Sequence, residues 1–239
     1  MLPVDVSAAP EEIQVYLDDL NKPQEFGLEM HTNYVLDGLR TPNYSGQLPS
    51  HHVLQLTPEF SYGFARNWDA GLYLLSTLAP GGGFEFNGAK LRVKYVAPST
   101  GMFFWGMNVE AGYTSRRVSE TYVNTELRPI LGWRADKWIF AVNPIIDVAL
   151  SGDASHAPAF APALKIARTV TEGVQFGIEH HADMGPIHRI PAFNQQNHVL
   201  FGVLDVQKGE FDLNFGIGRG LTSASEKWVA KMIVGIPFK

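Results

Sequence analysis

The feature that most constrains this chain is an alternation of apolar and polar residues, sustained from about residue 25 to the C-terminus. In the segment 101–113, apolar side chains occupy the odd positions from Phe103 to Tyr113, and polar or glycine residues occupy the even positions from Gly106. A period of two places successive side chains on opposite faces of a β-strand. The pattern therefore predicts an all-β fold whose strands have one apolar and one polar face.

The alternating segments are unusually long. They run about 10 to 13 residues, whereas strands of soluble proteins usually have about five or six. A tilted strand that crosses a bilayer needs about 9–11 residues. Counting the segments between turns predicts about twelve strands, at residues 25–37, 51–64, 70–79, 88–97, 101–113, 121–133, 138–150, 158–170, 174–184, 197–206, 210–220 and 227–238.

The links between these strands alternate between short and long. Short turns such as Arg66–Asp69 and Thr171–Gly173 are followed by longer polar or glycine-rich links such as 38–50 and 185–196. Outer-membrane barrels show this asymmetry, with short periplasmic turns and longer external loops. We therefore predict that residues 25–239 form a transmembrane antiparallel up-and-down β-barrel of about twelve strands. A soluble β-sandwich or lipocalin-like barrel is the alternative, because its strands alternate too.

Composition excludes several other classes. A mean hydropathy of -0.05 is too low for a bundle of membrane helices, and no run reaches the roughly 18 apolar residues that a spanning helix needs. The chain has no cysteine, so it has neither a disulfide nor a thiolate metal site. A net charge of -5 without a basic run argues against a nucleic-acid partner. Gly81-Gly82-Gly83 lacks the Lys-Ser/Thr of a phosphate loop, and we expect neither a cofactor nor a bound metal.

The C-terminal strand alternates from Trp228 to Phe238 and resembles the assembly signal of bacterial outer-membrane proteins, except that Lys239 follows the aromatic residue. We therefore predict a location in the bacterial outer membrane. The expected partners are its lipid and lipopolysaccharide, the barrel assembly machinery and a small solute. Residues 1–5 lack the basic start and apolar core of a signal peptide, so we expect that a leader has been removed.

Residues 1–24 differ from the rest. Ser7 is a candidate helix cap, and Ile13, Tyr16, Leu17 and Leu20 fall at helical spacing. The same stretch also alternates, which leaves a thirteenth strand or a pairing segment as an alternative. We predict a periplasmic N-terminal segment here.

Two short stretches carry a family resemblance. Glu12-Ile13-Gln14-Val15-Tyr16 and Glu25-Phe26-Gly27-Leu28-Glu29-Met30-His31 resemble the start of outer-membrane proteins filed with the meta-pathway phenol-degradation group. The resemblance implies a barrel that takes part in transport, and it implies no catalytic residue.

The parity of each strand assigns its charged residues to the inward face, because a lysine or arginine facing lipid at mid-depth would cost about 2–4 kcal/mol. The predicted lumen-lining residues are Glu29, Glu59, Arg92, Lys94, Glu110, Glu126, Arg128, Asp147, Lys165, Glu179, His181, Asp183, Asp212 and Lys231. Both signs of charge occur among them. We predict a narrow channel or transporter for small solutes with a polar, mixed-charge lumen, and a closed structural barrel is the alternative.

His181 and Asp183 share the inward face near the external end and suggest a second alternative, an outer-membrane lipid or ester hydrolase. No nucleophile motif such as the Ser-Asn-Gly of the outer-membrane phospholipase accompanies them. We therefore predict no catalytic residue and no enzyme.

The turn Thr171–Gly173 allows one precise prediction. If Val170 pairs with Val174, Lys165 lies directly opposite Glu179 on the inward face, with His181 one inward step nearer the external end. Opposite charges at such cross-strand positions attract. We predict a buried Lys165–Glu179 contact flanked by His181.

Overall fold

The computed structural model describes residues 12–151, 157–209 and 211–238, and these form a closed antiparallel β-barrel. The predicted fold class and the predicted number of strands, twelve, are confirmed. The strands are β1 (Phe26–Asp37), β2 (Leu54–Ala65), β3 (Trp68–Leu78), β4 (Phe84–Val96), β5 (Phe103–Thr114), β6 (Val123–Ala135), β7 (Trp138–Asn143 and Ile146–Ala149), β8 (Pro158–Phe160 and Ala163–Thr171), β9 (Val174–Asp183), β10 (Asn197–Lys208), β11 (Phe211–Gly220) and β12 (Trp228–Phe238).

Each strand pairs antiparallel with the next along the chain, and β12 returns to pair with β1. Asn33 on β1 lies opposite Lys231 on β12, which closes the sheet. Closure satisfies the backbone groups that an open edge strand would leave unpaired.

The ladder between β7 and β8 is interrupted where each strand contains a proline. Pro144 divides β7 and Pro162 divides β8, and proline has no N–H to donate to a neighbouring strand. The Ala161 N–H donates to the Ile145 carbonyl oxygen at 3.0 Å and bridges the gap. The sequence predicted two uninterrupted strands here, and the prolines account for the difference.

The links alternate between short and long as predicted. The first short turn contains only Arg66 and Asn67, because Trp68 and Asp69 already belong to β3. Asn67 has a φ of 71°, a left-handed backbone conformation that suits a tight turn. The long link after β9 contains two single turns of 3-10 helix, Ile187–Arg189 and Phe193–Gln195. In the described part of the chain, no helix has the length and apolar character needed to cross a membrane. Most of the predicted link 151–157 lies outside the described residues.

The two faces of the wall differ sharply. On the outer face, Leu91 and Trp105 are 64% and 54% exposed, whereas the inward Asn108 is fully buried. Aromatic rings lie near both ends of the outer face: the Trp68 and Tyr95 rings are 4.7 Å apart near the short turns, and other pairs lie near the long loops. Aromatic girdles flanking an apolar band are typical of lipid-facing barrels.

Candidate functional site

The interior of the barrel contains the chain's own N-terminal stretch, residues 12–21, which we call the inner segment. Its Ile13, Val15 and Tyr16 are buried against the inside of the wall. The sequence analysis placed residues 1–24 outside the barrel as a periplasmic segment, but residues 12–21 lie inside it instead. The reason is packing: Ile13 joins an apolar cluster with Phe201 of β10 and other inward side chains. The helix cap predicted at Ser7 lies outside the described residues.

Asn143 of β7 holds the backbone of the inner segment. The Tyr16 N–H donates to Asn143 Oδ1 at 2.7 Å, and Asn143 Nδ2 donates to the Tyr16 carbonyl oxygen at 3.1 Å. The side-chain amide therefore satisfies both backbone groups of Tyr16, as a neighbouring strand would. Asn143 is fully buried, so these bonds are shielded from water.

The ring of Tyr16 is buried among inward side chains of β3 to β6. Its hydroxyl lies 2.5 Å from the Tyr73 hydroxyl and donates to Glu110 Oε1 at 3.2 Å. The ring centroid lies 4.2 Å from the Arg128 guanidinium carbon and 4.8 Å from Lys94 Nζ. Cation–π contacts of this kind are attractive, and more so where water is excluded. Tyr16 thus contacts side chains of four strands, β3 to β6.

Further contacts fix the two ends of the inner segment. Lys231 Nζ donates to the Ile13 carbonyl oxygen at 3.0 Å, and Arg128 lies 3.3 Å from Glu12. At the other end, Asn21 Nδ2 donates to Ser61 Oγ at 2.8 Å. The chain then passes so close to Gly63 of β2 that a Cβ there would collide with the backbone just after the segment. Glycine at this position is what allows the close approach.

The inner segment divides the interior into two cavities. The cavity nearer the long loops, which we call the loop-side cavity, has a volume of about 160 Å³. The cavity nearer the short turns, the turn-side cavity, has a volume of about 220 Å³. Gln14 of the inner segment lines both. The segment therefore lies between two spaces large enough for water or a very small solute.

The loop-side cavity is acidic on one side and apolar on the other. Its apolar wall includes Ile145, Pro162 and Phe201. Arg128 and His181 are its basic side chains, and its carboxylates are Glu12, Glu126, Asp147, Asp183 and Glu226. Glu126 and Asp147 lie directly opposite each other on β6 and β7. Two like charges in that arrangement repel unless a cation or a proton lies between them.

The turn-side cavity is more polar, and its carboxylates also outnumber its basic residues. The basic side chains are Arg92, Lys94 and Lys165. The carboxylates are Asp19, Glu29, Asp69, Glu179, Asp205 and Asp212. Arg92 forms ion pairs with Glu59 and Asp69, and the nitrogen–oxygen distance is 2.5 Å in each. Most of the positive charge is therefore already paired.

The predicted Lys165–Glu179 pair is confirmed. The two residues are direct cross-strand partners on β8 and β9, and Lys165 Nζ lies 3.1 Å from Glu179 Oε1. His181 Nε2 lies 3.1 Å from the other Glu179 oxygen, as predicted for a flanking residue. The register shifts near the turn, where Thr171 rather than Val170 pairs with Val174, but Lys165 and Glu179 keep their expected register.

Glu179 also binds Lys231, and Lys165 also lies 2.8 Å from Asp205. All the predicted lumen-lining residues are on the inside of the wall. Each of them forms an ion pair, contacts Tyr16 or lines a cavity. The set is Glu29, Glu59, Arg92, Lys94, Glu110, Glu126, Arg128, Asp147, Lys165, Glu179, His181, Asp183, Asp212 and Lys231.

Sequence reasoning missed several residues of this interior. Asp69 and Asp205 were missed, although they have the same strand parity as their inward neighbours and that signal could have identified them. His31 lies two residues after Glu29 and shares its face. Tyr16 gave no such signal, because its role depends on the path of the inner segment.

The His181–Asp183 region does not resemble a hydrolase site. His181 contacts Glu179, and its ring meets Phe201 edge-on with centroids 5.6 Å apart. Asp183 accepts a backbone hydrogen bond from Gly185 at 3.0 Å. Among the described residues, no serine or threonine hydroxyl bonds to His181. The cluster therefore belongs to the ion-pair network of the wall.

Glu226, in the link before β12, joins two long loops above the loop-side cavity. Its carboxylate accepts hydrogen bonds from Ser50 Oγ and from the Leu39 N–H, the latter at 3.1 Å. Burial raises the pKa of the Glu226 carboxyl above its ordinary value, and these two hydrogen bonds oppose the rise. The loops are thus held together by a buried carboxyl group.

Solved structures with the same architecture are outer-membrane proteins. The COG4313 outer membrane channel from Pseudomonas putida F1 matches with a TM-score of 0.61 at 10% identity, over 92% of this chain and 97% of that one. The NanC porin matches with a TM-score of 0.57 at 14% identity, over 89% of this chain and 99% of the other. This chain has a porin-like outer-membrane β-barrel fold.

A third structure, the KdgM porin in complex with disordered oligogalacturonate, matches with a TM-score of 0.55 at 12% identity, over 90% of this chain and 99% of that one. At such identities the likeness shows the fold alone. No protein-family model and no curated protein sequence matches the chain. Its resemblance to the meta-pathway phenol-degradation group stays a prediction.

Proposed function

We propose that this protein is an outer-membrane channel for small solutes whose lumen is constricted by its own N-terminal segment. The observation that carries the proposal is the division of a polar barrel interior into two cavities by residues 12–21. The inner segment has no continuous backbone ladder with the wall, and side chains hold it instead. A segment held in this way is easier to shift than a wall strand.

The outer face supports placement in the outer membrane, because an apolar band of this size needs lipid around it. In that setting the protein would contact outer-membrane lipid and lipopolysaccharide, and it would depend on the barrel assembly machinery for insertion. A leader peptide would have been removed before insertion.

The charge of the interior supports a preference for cationic or neutral solutes over anionic ones. Carboxylates exceed basic side chains in both cavities. A path lined by one sign of charge between low-dielectric walls concentrates ions of the opposite sign. The KdgM neighbour is described in complex with oligogalacturonate, an anionic sugar oligomer. The acidic interior of this chain argues against that class of solute here.

Single-channel recording in planar bilayers tests the channel function. We expect the wild-type protein to give a small conductance, and Tyr16→Ala to increase it severalfold because a large ring is removed from the interior. Tyr34→Ala is the matched control, because Tyr34 has the opposite parity on β1 to the inward Asn33 and leaves the interior unchanged. If neither wild-type protein nor Tyr16→Ala conducts in correctly folded form, the barrel is closed and the proposal fails.

The reversal potential in a KCl gradient tests the charge preference separately. We expect cation selectivity, reduced by Asp147→Asn in the loop-side cavity and by Asp212→Asn in the turn-side cavity. Glu85→Gln is the control, since Glu85 is paired with Arg117 at the exposed start of β4. A conducting protein that prefers chloride would contradict the charge preference and leave the channel function standing.

A further inference from the structure

Glu29, His31 and Glu59 form a cluster of metal-ligand type on the inside of the wall. Glu29 and Glu59 are direct cross-strand partners on β1 and β2, and His31 lies on the same face two residues after Glu29. His31 Nε2 lies 3.5 Å from Glu29 Oε2 and 3.4 Å from Glu59 Oε2. One ligand atom from each side chain lies within 4.8 Å of the other two.

These distances suit a shared metal ion. Zinc and similar ions bind imidazole nitrogen and carboxylate oxygen at about 2.0–2.2 Å, which places neighbouring ligand atoms roughly 3–3.5 Å apart. The electrostatics agree, because two carboxylates directly opposite each other on adjacent strands repel unless a cation lies between them. We propose that Glu29, His31 and Glu59 bind a divalent transition-metal ion of the zinc class.

The surroundings support such a site. Arg92 Nε donates to Glu59 Oε1 at 2.5 Å, so the other oxygen, Oε2, is left facing His31. Hydrogen bonds to the second oxygen of a ligating carboxylate commonly orient it toward a metal. His31 and Glu59 are almost fully buried, which excludes competing water.

Access comes from the turn-side cavity. The Glu29 side chain is 37% exposed and lines that cavity, so an ion can enter there and keep a water molecule as a further ligand. On binding, the ion takes the Nε2 lone pair of a neutral His31 ring whose proton is on Nδ1, and a second proton carried on Nε2 in the metal-free protein passes to water. The site joins β1 to β2.

Metal titration of the chelator-treated, refolded barrel tests this proposal. We expect one equivalent of Zn²⁺ to bind by calorimetry, and Co²⁺ to bind at the same site with visible absorption bands of a low-symmetry nitrogen–oxygen site. Glu29→Gln and His31→Gln should each weaken binding by at least about tenfold. Because folding must be preserved, each variant is first checked for the gel shift of a closed barrel before and after boiling.

His180→Gln is the matched control. His180 Nε2 lies 3.1 Å from His198 Nδ1 on the opposite face of the wall, so this pair is the main competing histidine site. Binding should survive its loss. The proposal is overturned if wild-type protein binds no more Zn²⁺ than His31→Gln does, or if His180→Gln is the variant that loses binding. Retention of full stability in His31→Lys, with no metal bound by the wild type, would show that a protonated His31 neutralises the carboxylates instead.

Discussion

The wall of the barrel and the inner segment are built by different kinds of interaction. Every wall strand is held on both sides by backbone hydrogen bonds, with a register that runs from β1 to β12 and closes. Residues 12–21 are held by side chains that come from the wall, chiefly Asn143, Arg128 and Lys231. A hydrogen bond contributes only about 0.5–1.5 kcal/mol net, so the segment can be released by losing a few contacts, whereas a strand cannot.

The wall and the inner segment also differ in what a substitution should change. The wall encloses the two cavities, and the inner segment lies between them. Substitutions in the wall should therefore change stability, and substitutions that free the segment should change conductance.

The largest effect on stability should come from charging the outer face of the wall. Leu127 is 40% exposed on that face in the middle of β6. We expect Leu127→Arg to lower the free energy of unfolding in a bilayer by about 2–4 kcal/mol, because the charge would face lipid. Urea unfolding in lipid vesicles measures this. The inward neighbour Glu126→Gln should be far milder, and equal tolerance at both positions would contradict the register.

A smaller loss should follow from opening the network inside the wall. Lys165→Met removes the ion pairs to Glu179 and Asp205, but Glu179 stays paired with Lys231. We expect a loss of about 1–3 kcal/mol in the same unfolding assay. Lys227→Met, at an exposed ion pair, should leave stability nearly unchanged.

A double-mutant cycle sharpens this result. Because Lys165 and Glu179 are in direct contact, the variant Lys165→Met/Glu179→Gln should cost less than the sum of the two single changes. Strict additivity would show that the contact contributes nothing.

Asn143→Leu should separate the inner segment from the wall with a smaller effect on unfolding. The change keeps the side chain's size but leaves the Tyr16 N–H and carbonyl oxygen without partners while the segment stays docked, which favours its release. That loss falls on the docking of the segment, so the conductance should rise and limited proteolysis should cut near Lys22. Asn214→Leu, which loses a bond to Asp205 at 2.6 Å, should do neither.

The smallest effect concerns the loops. The raised pKa of Glu226 means that the folded protein favours its neutral form. The associated stabilisation is complete below the ordinary pKa of 4.5 and is lost as pH rises through the raised pKa. Wild-type stability should therefore decline as the pH rises above about 4.5 by a component that Glu226→Gln lacks. Identical slopes for the two proteins would contradict a buried carboxyl at this position.

The alternation of apolar and polar residues was sufficient to predict the strands of the wall. It located the strands to within a few residues and identified the inward charges, and turn geometry added the register of Lys165 against Glu179. It missed the interruptions of β7 and β8, because Pro144 and Pro162 keep the period while removing backbone donors.

The position of the inner segment could not be predicted from the sequence. Ile13 and Val15 alternate like a wall strand, and residues 13–20 also have helical spacing, so the local pattern fits several structures. The segment's partners are remote in sequence: Tyr16 bonds to Asn143, 127 residues away, and Ile13 to Lys231, 218 residues away.

The amino-acid sequence by itself therefore determined a closed barrel with a polar interior, because the period of two is a local property that every strand repeats. Only the tertiary structure decided what fills that interior. Closing the wall brings Tyr73, Glu110 and Asn143, from three separate strands, around Tyr16, whose hydroxyl contacts Tyr73 and Glu110 and whose backbone bonds to Asn143. No local pattern encodes that meeting, since it exists only once the ends of the sheet have joined.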